Sequence, residues 1–153
     1  MKVKRYPKLS SASYRRIYSR VPRVCVDVLI RKSGGVLLSR RSIQPYLGSW
    51  HLPGGRVRLH ETFAHTAKRI CREELGLRVR VLTVLGAIEY LRERQVSSSM
   101  THSVSVVLSA ESIGGTPRGS WQAREISFFR SLPRKIIPEV RTFLLANKFI
   151  RRH

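Results

Sequence analysis

Two hydrophobic periods divide this chain. Residues 24–30 (VCVDVLI) are apolar at nearly every position, the pattern of a central strand buried on both faces. Ser33-Gly34-Gly35 turns into a second short strand over 36–39. Residues 61–75 follow the other period. Phe63, Ala67, Ile70 and Cys71 stand at i, i+4, i+7 and i+8, one stripe of a helix that Gly76 stops. Segments 78–91 and 103–109 read as strands, Gly114-Gly115-Thr116-Pro117 as a break, and 125–129 as a last strand. Serines open a helix over 10–20 marked by Tyr14 and Ile17, and residues 42–50, with Pro45 and Gly48, form a loop. A final amphipathic helix is predicted over 134–148, starting near Pro133 and carrying Ile137, Val140, Phe143 and Leu144. The sum is an α/β fold, a mixed β-sheet flanked by helices.

The length of 153 residues predicts a single domain over 1–153, with residues 1–20 as a helical extension. A chain this long buries roughly two-thirds of its unfolded surface. No stretch approaches the roughly 18 apolar residues of a membrane span, and MKVKRYPKLS lacks the apolar core of a signal peptide. Cys25 and Cys71 lie in apolar surroundings, too few for a disulfide or zinc framework. These features lead to the expectation of a cytoplasmic protein with no membrane partner.

Charge changes the picture. Thirty Lys and Arg against nine Asp and Glu give a net charge of +21, a field that attracts polyanions such as nucleic acid or phosphate-bearing small molecules. The basic residues run from Lys2 to Arg152 without gathering into one stripe, which weakens a nucleic-acid footprint. A basic solvated surface explains them equally well.

The scarce acids are more telling. Glu61, Glu73 and Glu74 all fall on or beside the 61–75 helix. Glu74 lies four residues beyond Ile70, so it borders the apolar stripe and should be partly desolvated. Oxygen ligands on such a helix edge suit a hard cation such as Mg2+, and Gly54-Gly55 in front allows close backbone approach. The plain alternative is an i,i+4 pair of Arg69 and Glu73 on an exposed helix behind a glycine turn.

Gly55, Glu61, Arg69, Cys71, Glu73, Glu74, Gly76 and Leu77 together resemble the Nudix box, G-x5-E-x7-R-E-U-x-E-E-x-G-U with U aliphatic. The glutamate expected after the arginine is Ile70 here. That gap resembles the GDP-mannose mannosyl hydrolase branch of the Nudix hydrolases. Tyr14, Ile17, Asp27, Arg40-Arg41, LGSWHLPGGRV, Met100-Thr101-His102 and Trp121-Gln122 also fit that branch over roughly 9–130. The resemblance implies the Nudix α/β/α sandwich, a homodimer, and Mg2+ (with Mn2+ as a substitute) held by Glu73, Glu74, the Gly54 or Gly55 carbonyl and Gln122.

It further implies Arg41, Arg56 and Arg69 as phosphate contacts, since guanidinium forks match phosphate oxygens. Asp27, the only aspartate, and Tyr90 are candidate substrate contacts, their alternatives being a core ion pair and plain packing. The branch carries a histidine base after the glutamine, and Ala123 stands there, which leaves Glu125 and His102 as candidate bases. Three activities follow as expectations. The first is hydrolysis of a nucleotide sugar at the sugar carbon, giving nucleoside diphosphate and free sugar. The second is attack at phosphorus, giving a nucleoside monophosphate and a phosphorylated fragment. The third is a nucleotide- or RNA-binding module without turnover.

Overall fold

A computed structural model describes residues 8–91 and 102–152. The elements in chain order are α1 (Ser11–Tyr18), β1 (Arg23–Lys32), β2 (Gly35–Arg40), β3 (Trp50–His51), β4 (Gly54–Arg56), α2 (Phe63–Leu75), β5 (Leu77–Tyr90), β6 (Ser103–Gly115), β7 (Glu125–Phe129) and α3 (Pro138–Ala146).

The long apolar strand β1 organises the sheet by having three partners. Its end pairs antiparallel with β2 (Arg31 opposite Val36), while Asp27 stands opposite Gly54 of β4. Its other edge runs parallel to β6 from Arg23 to Ile30. The strand order is β3-β2-β1-β6-β5, with β4 added on β1 and β7 on β2. One parallel pair among antiparallel ones makes the described sheet mixed.

Strand alternation then sorts β1 into two layers. Val26, Val28 and Ile30 pack with Ala67, Cys71 and Leu75 of α2. Leu29 turns the other way, into a core of Ile88, Tyr90 and Val107 closed by Val140 and Leu144 of α3. The result is the expected sandwich, a mixed α/β sheet between helices.

Helix ends obey local chemistry. The Thr62 hydroxyl accepts from the His65 N–H at 3.1 Å and starts α2, and Gly76 at φ +68° stops it. The buried stripe of α2 is Thr66, Ala67, Ile70, Cys71 and Leu75. Phe63, predicted to face the core, is 41% exposed, because the sheet covers α2 only from its second turn.

The last helix is shorter than predicted, beginning at Pro138 and not near Pro133. Trp50 donates its N–H to Lys135 O at 2.7 Å and accepts from Ile137 N–H at 3.0 Å, so this segment is held extended along β3. Pro138, with no N–H to satisfy, is then suited to the first turn. The break predicted at 114–117 comes later too: Gly114 and Gly115 still pair with Arg78 and Leu77 in the β5–β6 ladder. Met100 and Thr101 lie outside the described residues. Cys71 is a buried free thiol, and burial pushes it up to about 12. No helix among the described residues is long and apolar enough to cross a membrane.

Candidate active site

The site grows from the edge of α2. Glu74 lies where the apolar stripe meets solvent, and burial pushes its carboxyl up to about 7. The charges of Arg41 and Arg69 pull it down, while Glu73 and Asp27 push it further up. The four charges acting on Glu74 therefore come from β1, the segment after β2, and α2 itself. Glu73 is half exposed, 3.7 Å from the Arg69 guanidinium and 3.8 Å from that of Arg58. Among the described residues no three His, Cys, Asp or Glu side chains gather as a metal-holding group. The carboxylates available to a cation here are the pair Glu73 and Glu74.

Across from them, Asp27 is buried and accepts a hydrogen bond from Tyr90 Oη at 2.6 Å. Its carboxylate also lies over β4. A Cβ on Gly54 would stand 2.0 Å from Asp27 Oδ1 and 2.8 Å from Val26 O, so only glycine fits. Gly54→Ala must therefore push Asp27 away or bend β4. We expect a loss of about 2–4 kcal/mol in stability, read as a drop in melting temperature. The neighbouring Gly55 is covered by Ile70, whose Cδ1 would lie 3.5 Å from an added Cβ. The isoleucine standing at the box's glutamate position is thus 1% exposed and packed against the glycine turn.

The three predicted phosphate-binding arginines have different surroundings. Arg69 forms a two-pronged pair with Glu61, Nε to Oε1 and Nη2 to Oε2, both 2.7 Å, and also donates to Arg56 O at 2.9 Å. Glu61 accepts further from Arg58 N–H and the Thr66 hydroxyl, and these bonds hold its carboxyl down at about 2, against the opposing effect of its burial. Arg56 lies 5.6 Å from both the Tyr14 and Tyr18 ring centroids and donates to Tyr18 Oη at 3.0 Å, a clamp that fixes α1 on β4. Arg41 is held by the carbonyls of Gln44 and Pro45, close enough to act electrostatically on Glu74. Arg56 and Arg69 are committed to protein partners, and Arg41 is the cation bracing the Glu74 carboxylate from outside its own helix.

Gln122 lies in a turn closed by Ser120 and Ala123. The turn is laced to the Arg41 loop, since Ser42 donates its N–H to Gln122 O at 2.9 Å and its hydroxyl to Trp121 O at 2.7 Å. Ala123 is 1% exposed, so the residue at the branch's histidine position is a core methyl. Glu125 is exposed and pairs with Arg40 directly across the β2–β7 ladder at 3.1 Å. His102 precedes β6, and its Nε2 is buried with no hydrogen-bond partner among the described residues.

One neighbour of Arg41 escaped sequence reasoning. His51 lies opposite Ser39, with Nε2 3.3 Å from the hydroxyl, and burial together with the Arg41 charge holds its imidazole down at about 3. It is neutral at physiological pH. Its signal in the sequence was a polar residue between Trp50 and Leu52, just ahead of the glycine pair.

A helix-edge carboxylate pair, a glycine turn and an arginine acting on one of those carboxylates stand on a mixed sheet between helices. The family model described as NUDIX domain matches residues 21–151, and the chain belongs to the NUDIX domain family. It is similar to the low-salt glycan biosynthesis protein Agl8 of Haloferax volcanii, 39% identical over 83 residues, 54% of this chain and 53% of that protein. It is similar also to an ADP-ribose pyrophosphatase of Methanocaldococcus jannaschii, 33% identical over 108 residues, 71% of this chain and 62% of that one. The chain thus matches between about half and three-fifths of the length of these two relatives. Among solved structures, a MutT NUDIX hydrolase from Burkholderia pseudomallei superimposes with a TM-score of 0.71 at 28% identity, covering 82% of this chain and 97% of that one.

Proposed function

We propose that this chain is a Mg2+-dependent hydrolase of a nucleoside diphosphate sugar, GDP-mannose-like, releasing nucleoside diphosphate and free sugar. The observation that carries the reading is Glu74, a carboxylate lifted to about 7 by burial beside the Arg41 guanidinium. A half-buried acid with raised affinity for positive charge is poised for a cation, and Arg41 is poised for the anion that cation brings.

The donor set fits a hard ion bound jointly with substrate. Glu74 and Glu73 would hold it, aided by a Gly54 or Gly55 carbonyl and the Gln122 amide, with phosphate and water completing the shell. When bound, Mg2+ supplies Lewis-acid neutralisation of the diphosphate. The residues do the rest. Arg41 meets the charge that grows on the departing diphosphate. Arg69, tied to Glu61 and the Arg56 carbonyl, fixes the loop ahead of α2 so that Glu73 and Glu74 keep their place. Asp27, oriented by Tyr90, supports β4 and presents an acceptor toward a sugar hydroxyl.

Attack at carbon is favoured by Ile70, since the box's further carboxylate is replaced by a methyl-bearing chain packed on Gly55. A metal site thus thinned is better matched to steadying a leaving group than to activating water. The buried Ala123 and the Arg40-bound Glu125 favour the second reading, attack at phosphorus, because no imidazole faces a sugar carbon from that turn. The ADP-ribose pyrophosphatase among the relatives agrees with it. Turnover of a nucleotide-sugar panel in 18O water separates the two. Label in free sugar is expected; label in nucleoside monophosphate or sugar phosphate assigns attack to phosphorus, and no turnover with Mg2+ or Mn2+ rejects both.

A further inference from the structure

Along the sequence the cations are scattered, but the fold gathers some of them at one end of the sheet. β1 ends on Arg31 and Lys32. The turn that follows is clamped by Arg130, whose Nε donates to Ser33 O, 97 residues back in the chain, at 3.1 Å. The last residues run alongside. Arg151 donates its N–H to Arg130 O at 3.2 Å, and Leu132 donates its own to Arg151 O at 3.0 Å. Arg31 lies over the Phe149 ring, 6.0 Å from its centroid, which brings Lys148 to the same end. Arg31, Lys32, Arg130, Lys148, Arg151 and Arg152 therefore converge there, and all are exposed.

Nothing acidic accompanies them. None of the nine acids falls within 30–35, 130–135 or 147–152. The ion pairs among the described residues engage Arg40, Arg58, Arg69 and Arg80, and none of the converging six. Like charges held together this way oppose the compact state unless an anion covers them. Lys148 adds backbone strain. Its φ is +57°, the left-handed form that the end of a helix ordinarily gives to glycine.

The character of the patch selects among polyanions. The exposed large apolar residues all lie outside these segments, so the patch lacks both the anchor of a lipid-inserting surface and the apolar centre of a protein interface. Four of the six cations are arginines, whose forks match phosphate oxygens. A nucleic-acid strand offers such oxygens as a continuous line of charge. The patch is also remote from the carboxylate pair. β1 runs four residues past Asp27 to reach Arg31, about 13 Å of strand.

We propose that this end of the molecule docks the phosphate backbone of a nucleic acid, held by charge without reading its bases, on a surface separate from Glu73 and Glu74.

The test is fluorescence anisotropy of a labelled single-stranded RNA of mixed sequence, about 20 nucleotides long, titrated with the full chain between about 50 and 200 mM KCl. Log affinity is expected to fall against log salt with a slope of about −4, six phosphate contacts on a single strand. The triple variant Lys32→Gln, Lys148→Gln, Arg151→Gln is expected to bind at least about tenfold more weakly, with a slope shallower by about two. Its control is Arg15→Gln, Arg16→Gln, Arg20→Gln on and beside α1, which Tyr14 ties to Arg23 at the opposite end of β1. That triple removes the same charge and is expected to keep affinity within about threefold. Lys148→Gly, freed of the left-handed strain, is expected to melt higher than the parent and still bind RNA more weakly. Equal losses in the two triples would assign binding to diffuse net charge and overturn the proposal. No binding at the lowest salt overturns it too, as does binding to poly-glutamate or to phosphatidylserine vesicles that matches or exceeds binding to RNA.

Discussion

Glu74→Gln is expected to abolish Mg2+-dependent turnover, lowering kcat by about three decades. That corresponds to the several kcal/mol that a cation-held diphosphate contributes to a transition state. The amide keeps the shape of the side chain and removes the charge that would hold the ion. The same substitution has the opposite effect on stability. The Glu74 carboxyl is raised from 4.5 to about 7, so its contribution to stability is full below pH 4.5 and is lost as pH rises through 7. With the ion removed by a chelator, the glutamine variant at pH 8 is expected to melt higher than the unsubstituted chain. The gain is bounded at about 3 kcal/mol. Lower activity with higher chelated stability identifies a binding acid; loss of both identifies a structural one. A variant as active as the parent would remove Glu74 from the site.

The second large effect is on the first of the three carboxylates of the box, Glu61. Arg69→Ala leaves Glu61, 12% exposed, with its charge buried and its strongest partner gone. Breaking a buried pair from one side costs about 3–5 kcal/mol. Glu61 is held down from 4.5 to about 2, so its contribution is present above pH 4.5 and disappears as pH falls toward 2. The shift corresponds to about 3 kcal/mol, at the lower end of that range. Melting curves between pH 2 and 6 are expected to show a steep acid limb in the parent and a shallower one in the variant. Parallel limbs would mean that Arg69 is not what depresses Glu61.

Much of this was legible in the sequence because it follows from periodicity and spacing. The β1 run, the α2 stripe and the Gly76 stop are local properties, and each element formed where residue pattern alone places it. The desolvation of Glu74 was readable from its distance to Ile70 along the helix. What could not be read was who claims each arginine. Arg69 and Arg56 have the same side chain and both lie within the box segment, yet one is taken by Glu61 and the other by two tyrosines of α1. Those choices are settled by tertiary packing. The start of α3 was misplaced for a similar reason, because strand pairing with Trp50 outcompetes helix propensity over 135–137. The position of His51 left a faint mark in the sequence, but its neutral state did not, because burial and the Arg41 charge set it.

The lacing of the Arg41 loop to the 120–123 turn has an optical consequence. Trp121 is 71% exposed and is tied through its carbonyl to Ser42, one residue from the arginine proposed to meet the diphosphate. The other indole, Trp50, is packed edge-on against Phe129 at 4.7 Å. The molecule therefore carries an exposed fluorophore tied to the Arg41 loop, with a second, sheltered one as an internal reference.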